Sequence, residues 1–179
     1  GFFHDISLKY DLPEGYIRTT FFYNNIEDEI MRISTVLDTG KTKNRIRNID
    51  ESETLGIELV YNQDNILGFP FALNANGTWL NKEIKKDSNG GLLVDAEWLR
   101  IPKYRAHVVG TYHATEDWDV ITEVNYRSQQ FANADNSDKK SDVFGSTNSH
   151  VLVNFKTAYS MDVGNDTTAK FSVGVDNIL

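Results

Sequence analysis

Trp118-Asp119-Val120-Ile121-Thr122-Glu123-Val124-Asn125-Tyr126-Arg127 is the stretch on which the fold turns. Trp118, Val120, Thr122, Val124 and Tyr126 share one parity, and polar residues fill the other with Ile121 as the one exception. A period of two places successive side chains on opposite faces of an extended strand. The pattern recurs in both directions along the chain. Ala169, Phe171, Val173 and Val175 alternate with Lys170, Ser172, Gly174 and Asp176, and Leu55, Ile57, Leu59 and Tyr61 alternate with Gly56, Glu58, Val60 and Asn62. Phe69, Phe71, Leu73, Ala75 and Trp79 share a parity, as do Ile6, Leu8 and Tyr10, then Ile17, Thr19, Phe21 and Tyr23. Val151, Val153, Phe155 and Tyr159 form a weaker set, broken by Leu152. The reading is all-β, with about eight antiparallel strands and no convincing helix.

The connections carry the second signal. Asp11-Leu12-Pro13-Glu14-Gly15, Asn62-Gln63-Asp64-Asn65, His113-Ala114-Thr115-Glu116-Asp117 and Gly164-Asn165-Asp166 are short turns built on Pro, Gly, Asn and Asp. Between them lie long polar stretches at 27–47, 81–100 and 128–147. Regular alternation of short and long connections predicts an up-and-down transmembrane barrel segment, with short periplasmic turns and long extracellular loops. Tyr10, Tyr23, Tyr61, Trp79, Tyr112, Trp118, Tyr126 and Tyr159 fall mostly on the apolar parity near strand ends, where an interfacial girdle belongs. Cross-strand aromatic packing inside a soluble β-sandwich is the competing account of the same residues. A complete small barrel of about eight strands with a structural or adhesive role is a further alternative.

Composition narrows the classes. The 179 residues carry a net charge of −8, which argues against nucleic-acid binding, and contain no Cys, which excludes disulfides, thiolate metal sites and Cys nucleophiles. Aromatics reach 12% although the mean hydropathy is −0.44, a combination expected of strands with one greasy and one wet face. There is no apolar run near eighteen residues and so no transmembrane helix. The opening Gly1-Phe2-Phe3-His4-Asp5 is not a signal peptide, so an exported protein would need sequence upstream.

Four stretches resemble TonB-dependent outer-membrane receptors, in that family's order. They are Thr20–Ile30, Arg47–Leu59 with its Gly56-Ile57-Glu58, Ile101-Pro102-Lys103-Tyr104-Arg105, and Val173-Gly174-Val175-Asp176-Asn177-Ile178-Leu179. The resemblance spans essentially the whole chain. It implies that residues 1–179 are a partial C-terminal region, roughly the last third of a barrel of about 22 strands, with the plug domain and the final strand absent. The implied whole is no enzyme but an active transporter of the Gram-negative outer membrane. It would import a scarce nutrient such as a ferric siderophore with TonB-supplied energy. The implied partners are outer-membrane lipid and lipopolysaccharide, the receptor's own plug domain, TonB through the missing N-terminal region, and the small-molecule substrate.

Residue chemistry adds no catalytic, cofactor or metal site, and leaves the substrate-binding residues unknown. His107 and His113 share a parity but lie six apart, about 20 Å along a strand, too far to share an ion, and His4 and His150 are isolated. Asp135-Asn136-Ser137-Asp138 with Asp142 suggests a calcium loop but lacks the Gly and Glu such a loop requires. Glu27-Asp28-Glu29, Glu51 and Glu53 read as solvated charge, Ser52 and Ser128 have no evident base, and Glu116, Asp117 and Asp119 sit at a turn rather than in a cleft. Gly56 reads either as a place where plug or strand approaches closely or as a simple twist or bulge. Pro102 fits a strand start and Asn177 a bend. The wet face is expected to carry Arg18, Glu58, Asn74, Asn76, Glu123, Asn125, Arg127 and Lys170, with Arg100 and Arg127 as candidate contacts for an anionic cargo.

Overall fold

A computed structural model describes residues 1–36, 42–88, 93–132, 136 and 146–179. Eight strands form one antiparallel sheet in the order β1 (Phe2–Leu12), β2 (Gly15–Val36), β3 (Thr42–Gln63), β4 (Phe71–Lys86), β5 (Tyr104–His113), β6 (Trp118–Arg127), β9 (His150–Gly164) and β10 (Thr167–Val175). The two-residue strands β7 (Gln130–Phe131) and β8 (Ser146–Thr147) pair separately. The sheet is open: β1 and β10 are its two edges and do not pair with each other.

All four short turns lie at one end. Pro13-Glu14 closes β1 onto β2, where Leu12 faces Gly15. A Cβ on Gly15 would meet the Asn62 carbonyl oxygen at 1.9 Å, so only glycine lets β2 run this close to β3. Asn165 and Asp166 both adopt positive φ (54° and 55°), which matches a tight hairpin turn to the right-handed twist of β9 and β10. The β3–β4 connection is longer than the four-residue turn expected at Asn62–Asn65. Gln63 still pairs with Leu73, and a single 3₁₀ turn, Ile66–Gly68, fills the gap. Phe69 therefore falls outside the strand that its parity with Phe71 predicted.

Because residues directly opposite in a ladder share a face, the register sorts every side chain. The row Ile6, Phe21, Ile57, Trp79 and Tyr104 runs across five strands, and Tyr112, Val120, Thr157 and Val173 continue the same face through β10. All eight predicted girdle aromatics lie on it, in two levels. Tyr10, Tyr61, Tyr112, Trp118 and Tyr159 stand near the short turns, and Tyr23, Trp79 and Tyr126 near the other end. Tyr104 and Tyr112 bracket this band on β5 at about 26 Å along the strand, which a barrel-strand tilt of about 40° projects to roughly 20 Å of height.

Among the described residues no second sheet covers this face. Ile57 is 36% and Val173 72% exposed, and Phe171, Tyr159 and Leu59 are exposed beside them. The sandwich reading required these residues to be sealed between two sheets, and it is wrong for that reason.

The opposite face carries Arg18, Glu58, Asn74, Asn76, Glu123, Asn125, Arg127 and Lys170, all where their parity put them. Gly56 lies there too, with no register shift at it, and it is a side chain of the neighbouring strand that approaches. The ring of Phe22, directly across the ladder, sits over it, and a Cβ would meet Phe22 Cζ at 2.1 Å. An aromatic ring thus covers the bare backbone that glycine leaves. Gly56→Ala is expected to cost about 1–3 kcal/mol of stability by displacing that ring. In a Phe22→Ala background the penalty should largely vanish. Equal penalties in both backgrounds, read by chemical unfolding, would refute the contact.

Candidate functional site

The long-connection end departs most from expectation. Residues 27–47 were read as a loop, but β2 runs to Val36 and β3 starts at Thr42, paired without a shift from Glu29↔Ile49 to Val36↔Thr42. The stretch 81–100 likewise begins as strand, since β4 reaches Lys86. Apolar alternation fails here because the ladder of this β2–β3 ribbon is made by backbone hydrogen bonds and needs no apolar side chain to form.

Asp28, with φ of 56°, interrupts the ordinary extended backbone at the base of the ribbon. Beyond it Glu29 and Met31 reach the same side as Ser52 and Ile84. Ser52 Oγ donates to Glu29 Oε2 at 2.7 Å, and Met31, Ile49, Ile84 and Leu93 form a buried cluster against which Trp98 and Leu99 pack. Residues 93–98 reach this cluster by pairing with β4 where β5 has not yet begun. Asp95 N–H donates to the Ile84 carbonyl at 2.8 Å, Ile84 N–H to Ala96 at 3.0 Å, and Trp98 N–H to Lys82 at 2.8 Å. Charge then locks the arrangement. Lys82, 10% exposed, sits 2.6 Å from Glu29 Oε1 with its ammonium 3.9 Å from the centre of the Trp98 ring. Arg47 grips the fully buried Asp87 carboxylate through two bonds of 2.8 and 2.9 Å. The Lys85 ammonium and the Asn81 amide hold the Glu83 carboxyl below its usual range, and Glu83 in turn raises Lys85. A backbone N–H from Ser88 does the same to Asp50. Residues 93–99 thus form a folded layer resting on β3 and β4. It reaches the third connection as well: Glu97 N–H donates to Asn136 Oδ1 at 2.6 Å, and Asn136 Nδ2 returns a bond to the Glu97 carbonyl at 3.0 Å.

Below this layer the polar face presents rows across β5, β6 and β9. Arg105 faces Arg127, and Arg127 faces His150. One row down, His107 Nδ1 lies 2.8 Å from Asn125 Oδ1. Glu123 accepts from Asn125 Nδ2 at 2.8 Å and from Asn154 Nδ2 at 3.3 Å, with His107 3.5 Å away. The upper two rows bound a shallow hollow lined by Asn76, Arg105, His107, Asn125, Arg127 and His150. Of the residues singled out from sequence, Arg127 belongs to this hollow. Arg100 lies in the β4–β5 connection, its N–H bonded to the Phe131 carbonyl at 2.8 Å. His150 was read as isolated and Arg105 only as part of the Ile101–Arg105 stretch, because their proximity to Arg127 exists only once strand register is known.

The remaining candidates are architectural. His113 Nδ1 lies 2.8 Å from Asp119 at the β5–β6 turn, and His107 is engaged as above. Among the described residues no three His, Asp or Glu side chains gather around one point. Of the calcium-loop stretch only Asn136 is among the described residues. Pro102 is buried two residues ahead of β5, and Asn177 adopts φ of 55° as the chain bends after β10.

An open eight-stranded up-and-down sheet with one apolar banded face and one polar face is the geometry of an arc cut from a membrane barrel. The family model for the TonB dependent receptor-like β-barrel matches residues 4–178. The chain belongs to that family. Solved receptor barrels superpose on nearly all of it. The ferric citrate transporter FecA, unliganded, aligns with a TM-score of 0.77 at 18% identity, over 98% of this chain and 26% of that one. BauA, the ferric preacinetobactin receptor of Acinetobacter baumannii, gives 0.72 at 19% identity over 98% and 25%. The copper transporter OprC gives 0.69 at 19% identity over 97% and 24%. No curated protein matches by sequence. This TonB-dependent receptor stretch therefore spans about a quarter of the length of the barrels it resembles. Its apolar face is the lipid face, its polar face the lumen, its short turns periplasmic and its folded connections external.

Proposed function

We propose that residues 1–179 are a C-terminal part of a Gram-negative outer-membrane receptor that imports a ferric siderophore or similar scarce nutrient with energy supplied through TonB. The observation that carries this reading is the sheet's division into a lipid face banded by two aromatic levels and a polar lumen face, continued outward by the ordered layer over β2–β4. Lipid and lipopolysaccharide would contact the first face. A plug domain encoded elsewhere in the same protein would pack against the second and hand the pull of TonB to the cargo. The named relatives support iron-chelate cargo, since two of the three are described as ferric-chelate proteins.

The test is uptake of radiolabelled iron, supplied as a panel of siderophores, by iron-starved cells carrying or lacking the full-length receptor. At least one chelate should enter only when both receptor and TonB are present. Equal uptake of every chelate in the receptor deletion would refute the iron reading, and receptor-dependent uptake that persists without TonB would refute the energy source.

A further inference from the structure

We propose that the β1–β2 and β3–β4 turns together seat one acyl chain of a phospholipid with an ammonium headgroup, at the short-turn edge of the lipid face. The β3–β4 turn is apolar where a turn in water would be polar, reading Ile66-Leu67-Gly68-Phe69-Pro70. Leu67 is 92% and Phe69 68% exposed. Leu67 also adopts φ 55° and ψ 28°, a left-handed conformation that a leucine avoids. Neither cost is recovered within the fold, because the side chain projects out of it. The turn is nonetheless pinned on both flanks. Asp64 N–H donates to the Glu14 carbonyl at 3.0 Å, the Asn65 amide donates to the Glu14 carboxylate, and His113 N–H donates to the Pro70 carbonyl at 2.9 Å.

Between the two turns lies an open hollow of about 500 Å³, lined by Leu12, Pro13, Ile17, Tyr61, Ile66 and Leu67. Ile17 faces both Tyr10 and Tyr61, so the hollow opens on the lipid face at the lower aromatic level. Hydrocarbon reaches it without crossing water, whereas an apolar segment of a soluble protein would first have to displace lipid. Charge selects the headgroup. Glu14 also lines the hollow, and the turn stretches 11–15, 62–70, 113–117 and 162–167 carry Asp and Glu but no Lys or Arg. An anionic headgroup is repelled there and an ammonium attracted.

The proposal deepens the transport reading and rests on its lipid face. The full-length receptor is reconstituted in phosphatidylcholine vesicles doped with phosphatidylethanolamine or phosphatidylglycerol carrying a photoreactive acyl chain, and crosslinked peptides are mapped. The ethanolamine probe should label the peptide holding Tyr61–Leu67 at least fivefold more than the peptide holding Val108, and the glycerol probe should not. Leu67→Gly should cut labelling of the turn at least fivefold. It should leave thermal stability unchanged or raised, because glycine adopts this φ freely. Glu14→Gln should keep the labelling and erase the headgroup preference. Labelling at Val108 without enrichment at the turn overturns the proposal while sparing the lipid face, and leaves a protein segment as the occupant. No labelling at either peptide overturns both. Labelling that survives Leu67→Gly, or a lowered melting temperature in that variant, also overturns the proposal, the latter by showing that Leu67 serves the fold.

Discussion

Arg47→Met should open the external layer of the full-length receptor by about 3–5 kcal/mol, the cost of removing one partner from a buried ion pair. The Asp87 carboxylate is 0% exposed, and Arg47 holds both its oxygens at 2.8 and 2.9 Å. An exposed pair of the same geometry would contribute well under 1 kcal/mol, because water would replace the lost partner. Here water has no access, so the charge stays desolvated. The loss should be local. Arg47 ties β3 to the end of β4, whereas the barrel wall below is held by ladder bonds that the substitution does not touch. Hydrogen exchange gives the measurement: the amides of Ile84, Asp95 and Trp98, which pair β4 with the layer, should exchange about a hundredfold or more faster. Amides of Val108 and Val124 should be unaffected. Unchanged protection at Ile84 and Asp95 would show that the pair does not hold the layer.

Val108→Arg and Val109→Arg differ by one residue and should differ severalfold in effect. Val108 faces Ala75 and Val124 midway between Tyr104 and Tyr112, the depth at which a lipid-facing arginine costs about 2–4 kcal/mol. Val109 points the other way, facing Asn74 and Glu123, so an arginine there enters the wet lumen beside an acid. Its cost should stay below about 1 kcal/mol. Unfolding of both receptor variants from lipid vesicles in denaturant decides the matter. Equal penalties, or a larger one at Val109, would reverse the assignment of faces.

The wall was legible in the sequence because period-two patterning is a local property. The lipid face of β6 reads directly from Trp118 to Tyr126, and register then aligned Val108, Val124 and Val153 as their separate parities required. Legibility failed at the far ends of β2 and β3. Ile30 and Ile46 are exposed on the ribbon while Met31 and Ile49 are buried one or a few residues away, so no simple alternation marks those strands. Nor did Glu27-Asp28-Glu29 behave as a solvated charge run, since Glu29 closes a network with Ser52 and Lys82.

Parity along each strand was enough to establish the strand class, the two faces, the girdle aromatics and the polar residues of the lumen. Such alternation follows from the backbone's own geometry and needs no knowledge of neighbours. Which residues meet across strands was decided only by the tertiary structure. Phe22 over Gly56, Arg47 on Asp87, the layer of 93–98 against β4, and the Arg105–Arg127–His150 row all join residues distant in the chain. Their proximity depends on register and on how a polar connection folds back. Long-range pairing of that kind leaves no periodic trace in a single sequence.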